Sequence, residues 1–136
     1  MNATFLKIKT NDSHQVVDIT RKVNQVLQQG NIQNGSCHLF IQHTTAALTV
    51  GEVGEGTEDD LLDVLNAMIP KILFRHAHDP THAPSHMIAS ILGPSLTVPI
   101  AGGNLCLGTW QSILLVELDG PRERKISIKL FREEGV

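Results

Sequence analysis

Residues 112–118, SILLVEL, constrain the fold more than any other stretch of this chain. Apolar residues fall at both odd and even positions of the run, so it has no wet face. A segment that short and that dry is a strand covered on both sides. A chain of 136 residues is long enough to supply the covering layers as one domain, residues 1–136. The next strand reads differently. After a turn at Asp119-Gly120-Pro121, residues 124–131 are RKISIKLF, in which Ile126, Ile128 and Leu130 alternate with Lys125, Ser127 and Lys129. One face of that strand is dry and the other wet. The tight turn predicts that 125–131 lies antiparallel beside 112–118.

The remaining chain divides into short elements. Residues 3–9 and 14–19 read as strands joined by turn residues Asn11, Asp12 and Ser13. A helix runs from Thr20, its expected cap, to Gly30, with Val23, Val26 and Leu27 inward. A strand over 36–43 resumes as 46–50, interrupted by the polar trio His43-Thr44-Thr45. A glycine-rich loop, GEVGEGT, leads to a second helix capped by Thr57, with Leu61, Leu62, Val64, Leu65, Met68 and Ile69 as its buried stripe. A third helix runs from about Pro84-Ser85 to Leu92. Strands 95–101 and 104–108 flank Gly102-Gly103, a two-residue hairpin signal. This order predicts an α+β fold: a mostly antiparallel sheet or β-sandwich with two to three helices to one side.

Composition excludes several functions. A net charge of -3 with no basic run argues against tracking nucleic-acid phosphates, and 4% aromatics with no tyrosine leave little to stack bases on. No apolar run approaches the roughly 20 residues of a membrane span. The N-terminus, MNATFLKIKT, has no signal-peptide core, so a soluble cytoplasmic protein is expected. Cys37 and Cys106 sit in apolar runs without a Cys-x-x-Cys pair and are expected to be buried free thiols.

The chemistry concentrates in residues 74–90, FRHAHDPTHAPSHMIAS, which hold four of the seven histidines: His76, His78, His82 and His86. Pro80 and Pro84 break helical hydrogen bonding there and push Asp79 and Ala83 toward extended backbone. Imidazole is neutral or charged near physiological pH and binds metals and phosphate oxygens. His43 ends a strand and His86 begins a helix, so both point in fixed directions. With His76 they are the expected convergent set, and His78 and His82 are expected to be peripheral. Three imidazoles with Glu52 as a carboxylate match a catalytic zinc arrangement. The same imidazoles with Arg75 or Arg122 match a phosphate or pyrophosphate site. Trp110 offers a flat wall and Gln111 an amide for a planar ligand. Neither a Ser-His-Asp order nor a His-Glu-x-x-His helix is present in the sequence.

HTTAALTVGE, FRH, PSHMIASILGPSLTVPI and LGTWQSILLVELDGPR, in that order and spacing, resemble the YjbQ-like family, also called the secondary thiamine-phosphate synthase family. The resemblance spans roughly residues 38 to 130. It implies an α+β sandwich, usually a homotrimer, with a site around His43, His76 and His86 that is sometimes occupied by a divalent metal, zinc or magnesium. It also implies weak thiamine-phosphate synthesis from a pyrimidine pyrophosphate and a thiazole phosphate; the alternative reading of the same residues is a metal- or phosphate-binding protein without turnover of its own. The candidate site residues are then His43, His86 and Glu52 as catalytic groups, with Thr44, Thr45, Arg75, Trp110, Gln111 and Arg122 as contacts to a phosphorylated substrate. The chain departs from the family pattern at Gly51, at the added His78 and His82, and at Ile88, where a basic residue is usual.

Overall fold

The computed structural model describes residues 4–76 and 79–134. In chain order the elements are β1 (Thr4–Lys9), β2 (Gln15–Asp18), α1 (Thr20–Gly30), β3 (Gly35–Ile41), β4 (Ala46–Gly51), α2 (Thr57–Met68), a 3-10 turn (Pro80–His82), α3 (Ala83–Leu92), β5 (Ser95–Ala101), β6 (Asn104–Leu105), β7 (Ser112–Glu117) and β8 (Glu123–Arg132). They build two antiparallel sheets, of strand order β1-β8-β3-β5-β6 and β2-β7-β4. The α+β architecture expected from the sequence is the one observed.

β7 is central, as its dry sequence requires, because the three-stranded sheet is the middle layer of the molecule. Ile113 and Leu115 face the five-stranded sheet, in a core shared with Leu39, Ile41, Ile126 and Ile128. Val116 and Leu118 face the other way, against Leu65 of α2 and Ile88 and Ala89 of α3. Helix α1 adds Val23, Val26 and Leu27 to the core between the sheets.

The expected pairing of 125–131 with 112–118 is wrong. β7 pairs with β2 and β4, whereas β8 crosses to the other sheet and pairs with β1 and β3. Its wet residues, Lys125 among them, lie on that sheet's outer face. Likewise β1 and β2 enter different sheets.

Local expectations fail where a neighbour supplies a better partner. Thr20 does not cap α1: the Asp18 carboxylate accepts from its amide at 3.0 Å and its hydroxyl at 2.6 Å. Thr57 does not cap α2 either. It is the first helical residue, and its hydroxyl donates back to the Gly54 carbonyl at 2.7 Å. Val64 and Met68 are exposed, because α2 lays only Leu61, Leu62, Leu65 and Ile69 on the sheet. Asp79 is extended as predicted, but Ala83 is helical, since the 3-10 turn runs straight into α3. Strand 104–108 shrinks to two residues, which leaves Cys106 exposed; Cys37 is buried, and burial pushes its thiol up to about 11. Among the described residues, no helix is long and apolar enough to cross a membrane.

Candidate functional site

β3 ends at Ile41 and β4 begins at Ala46, so the four residues between them carry the chain from one sheet to the other. Two backbone bonds pin this crossing to the end of α3: Ile41 N–H to the Pro94 carbonyl at 2.9 Å, and Leu48 N–H to the Gly93 carbonyl at 3.1 Å. A third ties Leu118 N–H to the Thr45 carbonyl at 3.1 Å. The trio that interrupts the apolar runs is therefore the corner where the sheets and α3 meet.

Under that corner lies a buried ion pair. Glu117 is 0% exposed and Arg124 is 2% exposed. Arg124 Nε donates to both carboxylate oxygens at 3.0 Å, and its Nη2 reaches Oε2 as well. The Thr10 hydroxyl donates to Oε1 at 2.6 Å, and the amides of Leu118 and Asp119 donate to Oε2. Arg124 Nη2 also donates to the Thr45 carbonyl at 3.0 Å and its Oγ1 at 2.9 Å. Burial alone would raise the Glu117 pKa; the bonds from Arg124, Thr10 and Asp119, with the arginine's charge, hold it below the usual carboxylate value. Thr45 is thus a buried bridge to Arg124, while Thr44 is exposed at the rim.

His43 rests on this base. Its ring is partly buried, and Nε2 accepts a hydrogen bond from the Lys125 backbone N–H at 3.1 Å. Burial and then the charge of Arg124 push its pKa below the ordinary histidine value, with Glu117 opposing and Arg122 assisting. His86 is the fourth residue of α3, whose start is anchored by the Ser85 hydroxyl donating to the Leu118 carbonyl at 2.7 Å. His43, Thr44, His86 and Ser90 line one cleft of about 570 Å³. The His76 ring stacks on His86, centroids 4.9 Å apart and planes at 28°. Its Nδ1 accepts from the Asp79 backbone N–H at 3.3 Å.

The other expected site residues lie elsewhere. Glu52 follows the far end of β4, in a separate depression of about 320 Å³ with Thr57 and Asp60. Five strand steps of about 3.4 Å put that end about 17 Å from Ala46. Trp110 and Gln111 precede β7 at this same distant end, where Gly51 pairs with Ser112. Trp110 is 75% exposed, and Gln111 Oε1 accepts from the Gly108 amide at 2.8 Å. Arg75 is exposed; Arg122 is paired with the Asp119 carboxylate at 2.8 Å. His82 is exposed and faces the Asp79 carboxylate at 3.4 Å. His78 lies outside the described residues. Among the described residues, no three His, Cys, Asp or Glu side chains converge on one ion-sized point.

Sequence reasoning missed Glu117 and Arg124. Both carried a signal: Glu117 is the one charge inside SILLVEL, and Arg124 shares the parity of Ile126, Ile128 and Leu130, the inward face of its strand. Two opposite charges on covered positions imply a partner for each.

A family model described as UPF0047 protein YjbQ-like matches residues 4–133. YugU of Bacillus subtilis (strain 168), a UPF0047 protein, is 38% identical over 129 residues, covering 93% of this chain and 96% of YugU. A UPF0047 protein of Methanothermobacter thermautotrophicus is 36% identical over 126 residues, covering 92% of this chain and 88% of its own length. Among solved structures, a hypothetical protein from Aeropyrum pernix K1 matches with a TM-score of 0.91 at 35% identity, covering 98% of this chain and 100% of that one. A YbjQ-like protein of unknown function from Sulfolobus solfataricus P2 matches with a TM-score of 0.90 at 35% identity, covering 97% of each chain.

Proposed function

The chain belongs to the YjbQ-like family, and we propose that its histidine cleft handles a phosphorylated heterocycle, as a thiamine-phosphate synthase-like transferase. The observation that carries this reading is the meeting of His43, from the sheet crossing, with His86, from α3, in one cleft, with His76 stacked on His86. In the reaction the thiazole nitrogen attacks the methylene carbon of the pyrimidine pyrophosphate. A C–N bond forms, the C–O bond breaks, and pyrophosphate leaves with the electron pair. The barrier lies in the charge that grows on the leaving group, and fixed N–H donors lower it without reorganising.

The metal expected from the resemblance does not fit these imidazoles as they stand. A three-histidine ion needs three lone pairs aimed at one point, and nitrogens of His43 and His76 already accept backbone hydrogen bonds. The divalent ion of this reading is magnesium carried by the pyrophosphate, its usual mode of binding.

The assembly in this reading is a homotrimer. Within one chain, Trp110 and Gln111 sit at the wrong end of β7 to contact a ligand beside His43; a second chain brings them to it. The test is to incubate the protein with both substrates and magnesium and follow thiamine phosphate and pyrophosphate by chromatography. Product formation that His86→Ala abolishes supports the reading; no product at high protein concentration refutes it. Light scattering at micromolar concentration checks the trimer.

A further inference from the structure

We infer that His43 and His76 are locked by backbone amides into opposite neutral tautomers that present N–H donors to a phosphoryl oxygen and leave no lone pair for a metal. The inference deepens the phosphate-handling reading of this cleft and rests on it for the ligand class.

A backbone amide can only donate. The ring nitrogen that accepts its hydrogen must be bare, so in a neutral imidazole the proton is on the other nitrogen. His43 Nε2 accepts from Lys125 N–H, so the proton is on Nδ1. His76 Nδ1 accepts from Asp79 N–H, so the proton is on Nε2. In each ring the nitrogen left for a ligand is a donor. His38 shows the contrast. Its two nitrogens face the hydroxyls of Ser36 and Thr97, at 3.2 and 3.3 Å, which donate or accept as needed and select no tautomer.

This polarity is the reverse of a metal site. A metal-bound histidine gives its second ring N–H to a carboxylate, carbonyl or water, which keeps the ligating lone pair basic. Here the partner of the second nitrogen is a donor in both rings. To ligate through Nδ1, His43 would have to turn Nε2–H against Lys125 N–H. To ligate through Nε2, His76 would have to set Nδ1–H against Asp79 N–H. Each change replaces a hydrogen bond by two facing donors. Flipping either ring instead puts a carbon opposite the amide, which accepts nothing.

The surrounding charge does not oppose this. The guanidinium of Arg124 lies near His43 but is paired with Glu117, and Arg122 is paired with Asp119, so both arginines are largely neutralised. The selection rests on the N–H groups in front, which favour an anion with lone pairs to give, such as a phosphate monoester or pyrophosphate.

The test is long-range 1H–15N correlation on the whole protein with 15N-labelled histidine, at pH 8, with His43→Gln and His76→Gln used only to assign signals. The expected spectra show a protonated Nδ1 for His43 and a protonated Nε2 for His76. Inorganic pyrophosphate and a simple phosphate monoester, added separately, should shift both N–H signals; which shifts them at lower concentration identifies the ligand form. Zinc ion at equimolar concentration should leave both tautomers in place. Opposite tautomers at either ring, or a zinc-coordinated nitrogen at His43 or His76, overturns the inference. Correct tautomers and pyrophosphate shifts without thiamine phosphate formation leave the donor site standing and remove only the synthase reading. Turnover with the opposite tautomers does the reverse.

Discussion

The antiparallel pair β4–β7 has two very different ends. At one, Ala46 faces Glu117, and the buried polar groups are partnered with one another: Glu117 holds Arg124, Thr10 and two amides, and Arg124 holds Thr45. At the other, Gly51 faces Ser112, and Glu52, Trp110 and Gln111 stand in solvent. The first end bears the cost of desolvating two charges in order to hold His43 in place. The second leaves its indole exposed and gains nothing in the single chain from the 150–250 Å² that an aromatic can bury. A rigid end that aims side chains and an open end that waits for contact should respond to substitution in different currencies, the first in stability and the second in binding alone.

The largest effect should come from cutting the buried pair. Glu117→Ala strands the Arg124 guanidinium among apolar neighbours and should cost about 3–5 kcal/mol in urea denaturation. Arg124→Met in the Glu117→Gln background should recover a good part of that loss, because it leaves no charge unpartnered. A Glu117→Ala loss under about 1 kcal/mol would mean the corner is not built on this pair, and the contrast between the two ends would collapse.

Acid should act on the same end. Glu117 has a folded pKa below its unfolded value, so its contribution is complete above the unfolded carboxylate pKa of about 4.5 and is lost as pH falls through the folded value. His43, a base with a lowered folded pKa, adds an earlier step. As pH falls below about 6.5 the unfolded chain takes up its proton before the native chain does, and stability declines. Urea midpoints measured from pH 8 to 3 should therefore fall in two stages. His43→Gln should remove the upper stage and keep the lower. A flat profile through pH 6 would show that burial does not hold the His43 ring neutral.

A smaller and more selective effect is expected in the cleft. His43→Ala, His76→Ala and His86→Ala should each weaken pyrophosphate binding at least tenfold, about 1.4 kcal/mol, by titration calorimetry. His82→Ala should change it little, because its ring is turned to Asp79 in solvent. Equal damage from His82→Ala would move the site out of the cleft and into the loop.

How much of this was legible beforehand depended on whether the signal was local. β7 was readable because dryness on both faces is a property of seven consecutive residues. The layer to which β8 belongs was not local: its alternation says only that one face is wet, and the turn after β7 serves a hairpin and a crossing to the other sheet equally well. His43 and His86 were legible because each sits where a polar residue interrupts an apolar pattern or opens a helix. The Glu117–Arg124 pair needed each charge to be read as a buried anomaly and then matched across a turn. Nothing in the spacing of Glu52 or Trp110 told which end of a strand they would occupy. The caps failed because Thr20 and Thr57 are already the first helical residues, one position past the cap, with their hydroxyls donating back to Asp18 and to the Gly54 carbonyl.

The smallest effect should be at the open end. Trp110→Ala removes an indole that is 75% exposed, and its loss should change the stability of the isolated chain by no more than about 0.5 kcal/mol, the range of ordinary surface substitutions. Its influence on ligand binding is a separate matter. If a second chain carries Trp110 to the cleft, the variant should keep its urea midpoint under conditions where the chain is dissociated, yet as the assembled protein lose more affinity for the pyrimidine pyrophosphate than for inorganic pyrophosphate. The indole offers a flat face to a heterocycle and nothing specific to a bare anion. The comparison of the two ligands therefore isolates what the open end does. Equal weakening for both would assign Trp110 to the assembly rather than to the heterocycle. A loss of several kcal/mol in the dissociated chain would show that the indole is packed after all, and that the two ends of β4–β7 differ less than their exposure indicates.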